Sequence, residues 1–136
     1  MSVDRIQLAR TQHCTCSALR RATRAVTAHY EAHFRGSELR GTQFTILSTL
    51  AQTGALSMTQ LAEWLGVERT TLTRNLAVLA RRGFVAYTGA KDGRVRKVEI
   101  TRDGERTLRA CLPRWAAAEA SVGTVLRRLK LPQLSR

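Results

Sequence analysis

Apolar positions recur at three- and four-residue steps from the start of the chain. Ile6, Ala9, His13, Cys16, Leu19, Thr23, Val26, Tyr30 and Phe34 mark one face, and residues 4–34 contain neither Gly nor Pro. This spacing predicts one long helix over that span. Gly36 and Gly41 bracket a loop, and Phe44, Leu47, Leu50 and Ala51 mark a second helix ending near Gly54. In Ser57-Met58-Thr59-Gln60 the serine can cap a third helix while Gln60 reaches back to its amide. That helix buries Leu61, Ala62 and Leu65 and stops at Gly66; after the turn, RTTLTRNLAVLARRG restarts as a fourth helix closed by Gly83. Two short helices joined by a Gly turn make a helix-turn-helix.

Beyond Gly83 the period changes to two. Phe84–Tyr87 and Val95–Ile100 read as strands around Lys91-Asp92-Gly93, whose Asp-Gly step signals a hairpin. Thr101 can cap a last helix in which Leu108, Leu112, Trp115, Val122, Leu126 and Leu129 lie near a heptad, with Pro113 as a kink. The expected fold is mainly α with a small β-hairpin wing.

Length and composition fit a single domain with apolar residues enough for a core: 136 residues, 43% hydrophobic, 24% charged and 2 Pro. Charge adds the functional direction. The chain carries 23 basic and 10 acidic residues, a net +13, and all but Lys91, Lys97 and Lys130 of the basic residues are arginine. Such an excess points to a polyanionic partner, and arginine suits bidentate contacts to phosphate and guanine. The charge is uneven: residues 41–68 sum to −2 and residues 69–109 to +7, so the fourth helix and the ribbon hold most of the positive field.

If Leu72, Leu76 and Leu79 face inward, Arg69, Thr70, Thr71, Thr73, Arg74 and Asn75 are left toward DNA, and all six can hydrogen-bond to bases or phosphates. The ribbon tip carries Lys91, Arg94, Arg96 and Lys97, suited to an electronegative minor groove, with Asp92 placed to orient Arg94. No paired acid and base, no phosphate-cradling Gly-rich loop and no nucleophile with a His partner stand in the sequence, so no enzyme and no cofactor are expected. The alternatives are a non-specific architectural nucleic-acid-binding protein and, below it, a thiol-based redox enzyme.

These residues resemble the MarR family of winged helix-turn-helix transcriptional regulators. The resemblance rests on LAEWLGVERTTLTRNLAVLARRGFV, on Leu79, Gly83, Phe84 and Val85, and on Asp92, Arg94, Thr101 and Gly104 in KDGRVRKVEITRDGERTL. It implies a homodimer on an inverted-repeat operator in double-stranded DNA, with helix four in the major groove and Arg94 in the minor groove. Residues 1–40 and 105–136 would form dimerisation helices around a DNA-binding lobe of residues 41–104. The apolar stripes of the two terminal helices agree, since so small a domain has little else against which to bury them.

The resemblance also implies control by small aromatic acids or by cysteine oxidation, most simply of a repressor. Tyr30, His33, Phe44 and Trp115, with His29, are expected near an effector pocket, and Arg20, Arg24 or Arg40 could pair with a carboxylate. Cys16-Ser17-Ala18-Leu19 and Tyr30 resemble the organic-peroxide-sensing branch, although Arg20 replaces the tyrosine expected four residues after the cysteine. A cation at i+4 favours the thiolate, and Cys111 could resolve an oxidised Cys16. On a continuous helix Cys14 would lie about 200° from Cys16, which separates their roles. The small-hydrophobe alternative stands for all three cysteines. His29 and His33 have a zinc-binding i, i+4 spacing, with His13, Cys14 or Cys16 as further ligands, but no second spaced pair completes a site and no metal is expected. No apolar run has secretory or membrane-spanning length, and the odd cysteine count argues against a disulfide framework, so the expectation is a cytoplasmic protein with no membrane partner.

Overall fold

The structure is a computed structural model that describes residues 4–89, 95–129 and 131. Its elements in order are α1 (Arg5–Arg10) with a 3-10 turn over Thr11–His13, α2 (Thr15–Phe34), α3 (Gly41–Thr53), β1 (Leu56–Ser57), α4 (Met58–Leu65), α5 (Arg69–Arg81), β2 (Val85–Thr88), β3 (Lys97–Ile100) and α6 (Arg102–Arg128). This is the expected mainly α, winged-helix architecture.

One expectation fails at the N-terminus. The single helix over 4–34 is interrupted: the 3-10 turn closes through Cys14 N–H donating to the Thr11 carbonyl, and Cys14 is extended at φ −62°, ψ 117°. Residues 5–17 are all exposed, so no packing overrides the weak helix preference of the Thr-Gln-His-Cys-Thr stretch. Cys14 therefore precedes α2 instead of sitting on it, and the 200° separation from Cys16 does not apply.

The helix-turn-helix forms as its local chemistry dictates. Ser57 Oγ accepts the Gln60 N–H at 3.2 Å while the Gln60 side chain accepts the Ser57 N–H at 3.0 Å, which closes a capping box at the start of α4. α4 ends at Gly66, whose φ of 63° is the left-handed conformation that lets the chain turn into α5 within two residues. Ile46, Leu47, Leu61, Leu72, Leu76, Leu79 and Val98 are completely buried together, so α3, α4, α5 and the sheet share one core.

The sheet has the order β1-β3-β2, both pairs antiparallel, with Leu56 opposite Val98 and Val85 opposite Ile100. β1 is absent from the hydrophobic pattern because two residues carry no alternation. The hairpin tip at Lys91-Asp92-Gly93 lies outside the described residues.

α6 begins at a junction that explains the Thr-x-x-Gly signature. Thr101 N–H donates to the Phe84 carbonyl at 3.0 Å, its hydroxyl donates to the Gly83 carbonyl at 2.6 Å and accepts the Gly104 N–H at 3.1 Å. One residue thus ties the end of α5 to the start of α6 and caps the latter. Gly104 is buried there, and a methyl at that position would collide with the Phe84 carbonyl oxygen and meet Ile100 Cγ1 at 2.8 Å.

α6 then runs without interruption across Pro113, whose missing N–H removes one helical hydrogen bond. It packs against α2, and Arg114 donates to the His33 and Arg35 carbonyls at 3.2 and 2.8 Å, satisfying the end of that helix. Cys111 and Ala118 are buried on this side, whereas Leu112, Trp115 and Leu126 of the predicted heptad, with Ile6, Leu8 and Leu19 of the N-terminal helices, are exposed in the single chain.

Gly104→Ala is expected to destabilise the fold by about 1–3 kcal/mol, because backbone supplies the obstructing atom and cannot rotate away. Urea unfolding of the two proteins checks this; equal midpoints would show that the α6 junction relaxes freely.

Candidate nucleic-acid interface and adjoining cavity

The polar face of α5 is created by what its other face must bury. Leu72, Leu76 and Leu79 are wholly inside, which turns Arg69, Thr70, Thr71, Thr73 and Arg74 into solvent. Asn75 differs: it is half-buried, and its side-chain amide donates to the Thr71 carbonyl at 2.9 Å. Thr73 likewise donates its hydroxyl to the Arg69 carbonyl at 2.8 Å, leaving its methyl and its oxygen lone pairs outward. Glu68, the N-cap of α5, makes no side-chain cap bond, so the leading N–H groups of this helix are not occupied by a capping side chain and can meet a phosphate.

Beside α5, Arg96 stacks over the Tyr87 ring at 4.3 Å, holding one wing arginine against its own ribbon. Lys91, Asp92 and Arg94 lie outside the described residues. At the other end of α5, Arg82 packs over Phe84 at 4.6 Å and reaches Glu38 at 3.9 Å, which anchors α5 to the loop before α3.

A cavity of about 480 Å³ opens between α2, α3 and α6. Tyr30, Phe44 and Trp115 line it, with Phe44 and Trp115 stacked at 6.4 Å and 14°. His33 does not: its Nδ1 is hydrogen-bonded to the His29 carbonyl at 2.9 Å, and its ring lies against His29 at 4.6 Å. His29 in turn bonds the Ala118 carbonyl and Ser121 at 3.0 and 3.1 Å, which puts its imidazole in the α2–α6 seam, while the His33 imidazole is held against its own helix. Among the described residues no three His, Cys, Asp or Glu side chains come together as a metal site. The arginines expected to meet a carboxylate are also elsewhere: Arg20 and Arg24 line one neighbouring groove and Arg40 another.

Two features of the cavity escape linear reading. Leu65, Gly66 and Val67, the turn of the helix-turn-helix, form part of its wall, and Glu31 supplies a carboxylate. Glu31 shares a helix face with Thr27 and Phe34 by i, i+4 and i, i+3 spacing, the one signal in the sequence that could have placed it. Tyr30 directs its hydroxyl onto the Glu119 carboxylate of α6. Burial first, then the hydrogen bond to Glu119 and the charge of that carboxylate, push its phenol up to about 12.

The cysteines divide by exposure. Cys14 and Cys16 are exposed, with an Arg20 guanidinium nitrogen 4.0 Å from Cys16 Sγ, while Cys111 is buried in the apolar core. A resolving role for Cys111 would require that core to open.

Comparison with known proteins agrees with the geometry. The sequence model of the MarR family matches residues 39–94. Among solved structures, the Mycobacterium tuberculosis transcriptional regulator MosR is 35% identical, with 85% of this chain and 84% of that chain covered and a TM-score of 0.74. A structure of the M. tuberculosis MosR regulator in complex with DNA is 38% identical over 82% and 81% of the two chains, TM-score 0.70. Bordetella bronchiseptica BpsR, whose DNA binding is regulated by 6-hydroxynicotinic acid, is 25% identical over 76% and 79%, TM-score 0.68. No curated protein matches the chain in sequence. The chain belongs to the MarR family: it is a DNA-binding transcriptional regulator of winged-helix fold and not an enzyme.

Tyr87→Phe leaves Tyr30 as the lone tyrosine, and its phenolate absorbance is expected to appear with a midpoint near 12 instead of the ordinary value of about 10. Because the folded-state value is raised, the stability linked to this proton is complete below about 10 and is lost as pH climbs toward 12. Adding Glu119→Gln should move the midpoint down. A midpoint near 10 with Glu119 intact would sink the assignment.

Proposed function

We propose that the protein is a homodimeric repressor that binds an inverted-repeat operator in double-stranded DNA, with α5 in the major groove and the wing in the minor groove. The observation that carries this reading is the α5 surface, where three buried leucines turn Arg69, Thr70, Thr71, Thr73 and Arg74 outward together, while Asn75 needs a rotamer change to reach a base. Lys91, Arg94 and Arg96 are assigned to the wing contacts, with Asp92 orienting Arg94. Residues 1–40 and 105–136 are assigned to dimerisation, residues 41–104 to the DNA-binding lobe. The exposed apolar side chains Ile6, Leu8, Leu19, Leu112 and Leu126 support a second copy as the cover for the terminal helices. Two lobes related by a twofold axis would read half-sites about one helical turn, roughly 10 bp, apart. Among the described residues no helix is long and apolar enough to cross a membrane, and the proposed action on DNA supports a cytoplasmic location.

Release is assigned to a small aromatic effector in the 480 Å³ cavity, because the wall formed by Leu65, Gly66 and Val67 leads directly into α5. A shift there changes the spacing of the two α5 helices and so the fit to both half-sites. Thiol oxidation is a second route, favoured by the exposure of Cys16 with Arg20 beside it. A hydroperoxide would oxidise the Cys16 thiolate to sulfenate and leave as the alcohol. Exposed Cys14, at most about 7 Å away along the chain, would then displace water to form a disulfide.

In mobility-shift titrations a duplex selected from a random pool should bind far better than its scrambled version. Arg74→Ala should cost about 1–3 kcal/mol and relax one base preference, and Arg94→Ala should weaken all duplexes alike and reduce the salt slope by about 1. Equal binding to both duplexes would instead make the protein an architectural one. Hydroperoxide treatment should release the wild-type protein and leave Cys16→Ser bound; release of both would remove the thiol route.

A further inference from the structure

The cavity wall has a chemical bias that its position alone does not imply. Among the described residues that line it, Glu31 is the one that is charged; the others are apolar, aromatic, glycine or hydroxyl-bearing. The Glu31 carboxylate is half-buried and, among the described residues, has neither an ion-pair partner within 4.0 Å nor a hydrogen bond. Gly41, the first residue of α3, leaves room for it, since a Cβ there would sit 2.9 Å from Glu31 Oε1. Arg35 and Arg40 border the groove on the far side of Glu31 without pairing with it. The Tyr30 hydroxyl, the natural donor for an acid, is already given to Glu119.

We propose that this cavity takes an aromatic cation, with Glu31 as its counterion and Trp115, Phe44 and Tyr30 as aromatic walls. The proposal rests on reading the cavity as the effector site and gives that effector its charge. A quaternary or protonated amine gains from both the carboxylate and the ring faces, whereas a carboxylate ligand would meet Glu31 with no cation among the described lining residues to offset it. The protein's net positive charge does not reverse this preference, because at physiological ionic strength distant charges are screened over about 8 Å while a contact inside the cavity is not. The four lining threonines, Thr23, Thr27, Thr42 and Thr45, add neutral hydroxyls that accept from an ammonium as readily as they donate.

The test uses the full chain and three probes of one size: benzyltrimethylammonium, benzyl alcohol and benzoate, titrated by calorimetry into wild type and Glu31→Gln. The cation is expected to bind wild type about tenfold more tightly than benzyl alcohol, with benzoate weakest. Glu31→Gln should erase the advantage of the cation and leave benzyl alcohol unchanged, which also shows that the variant is folded. In Trp64→Phe, which retains Trp115 as the lone tryptophan, the cation should alter the emission and so place the probe in this cavity. Benzoate binding as tightly as the cation, cation affinity unaffected by Glu31→Gln, or no binding of any probe would each overturn the proposal. Operator release is read in parallel. Glu31-dependent cation binding that leaves the DNA complex intact would uphold the chemistry of the cavity and remove the effector reading instead.

Discussion

The structure depends on α5 satisfying two neighbours at once. Leu72, Leu76 and Leu79 lock it into the core shared with α3, α4 and the sheet, and that packing decides which of its polar residues reach solvent. Burying three leucines completely is worth roughly 5–9 kcal/mol before entropy is counted, far more than the few tenths that side-chain pairs on its outer face could supply. Rotation of α5 about its axis is therefore costly, and a fixed rotation is what DNA reading by a helix requires. Arg82, bonded to the loop before α3, and Thr101, bonded to Gly83, hold the C-terminal end in the same position.

The same packing links the cavity to α5. α4 and α5 are joined by a turn of a few residues at Gly66, and the residues of that turn also wall the space under Trp115 and Phe44. The cavity thus opens directly onto the turn of the helix-turn-helix. The α2–α6 seam on the other side, with His29 on Ala118 and Ser121, Tyr30 on Glu119 and Arg114 on the end of α2, gives the cavity a firm back.

Exposed apolar residues complete the logic of a small chain with two long terminal helices. α6 has one face for its own chain, through Gly104, Thr107, Cys111 and Ala118, and another, through Leu112, Trp115 and Leu126, that its own chain leaves open. Trp115 serves both purposes, because its ring stacks on Phe44 while 39% of the residue remains exposed.

By itself the sequence determined the winged-helix order, the Ser57 and Thr101 caps, the Gly66 turn and the inward leucines of α5. All of these are written in spacing and in side chains that act on their own backbone within a few residues. Tertiary structure decided the rest. It left the first helix broken at Cys14 because the chain's own core does not reach that segment, paired β1 with β3 through Leu56 and Val98, and turned Asn75 back onto Thr71. It turned His33 back onto His29, buried Cys111, and kept the arginines out of the aromatic cavity while bringing Glu31 into it. Each of those outcomes depends on which surfaces of distant segments meet, and periodicity along one chain gives the face of a helix but not the neighbour that face will find.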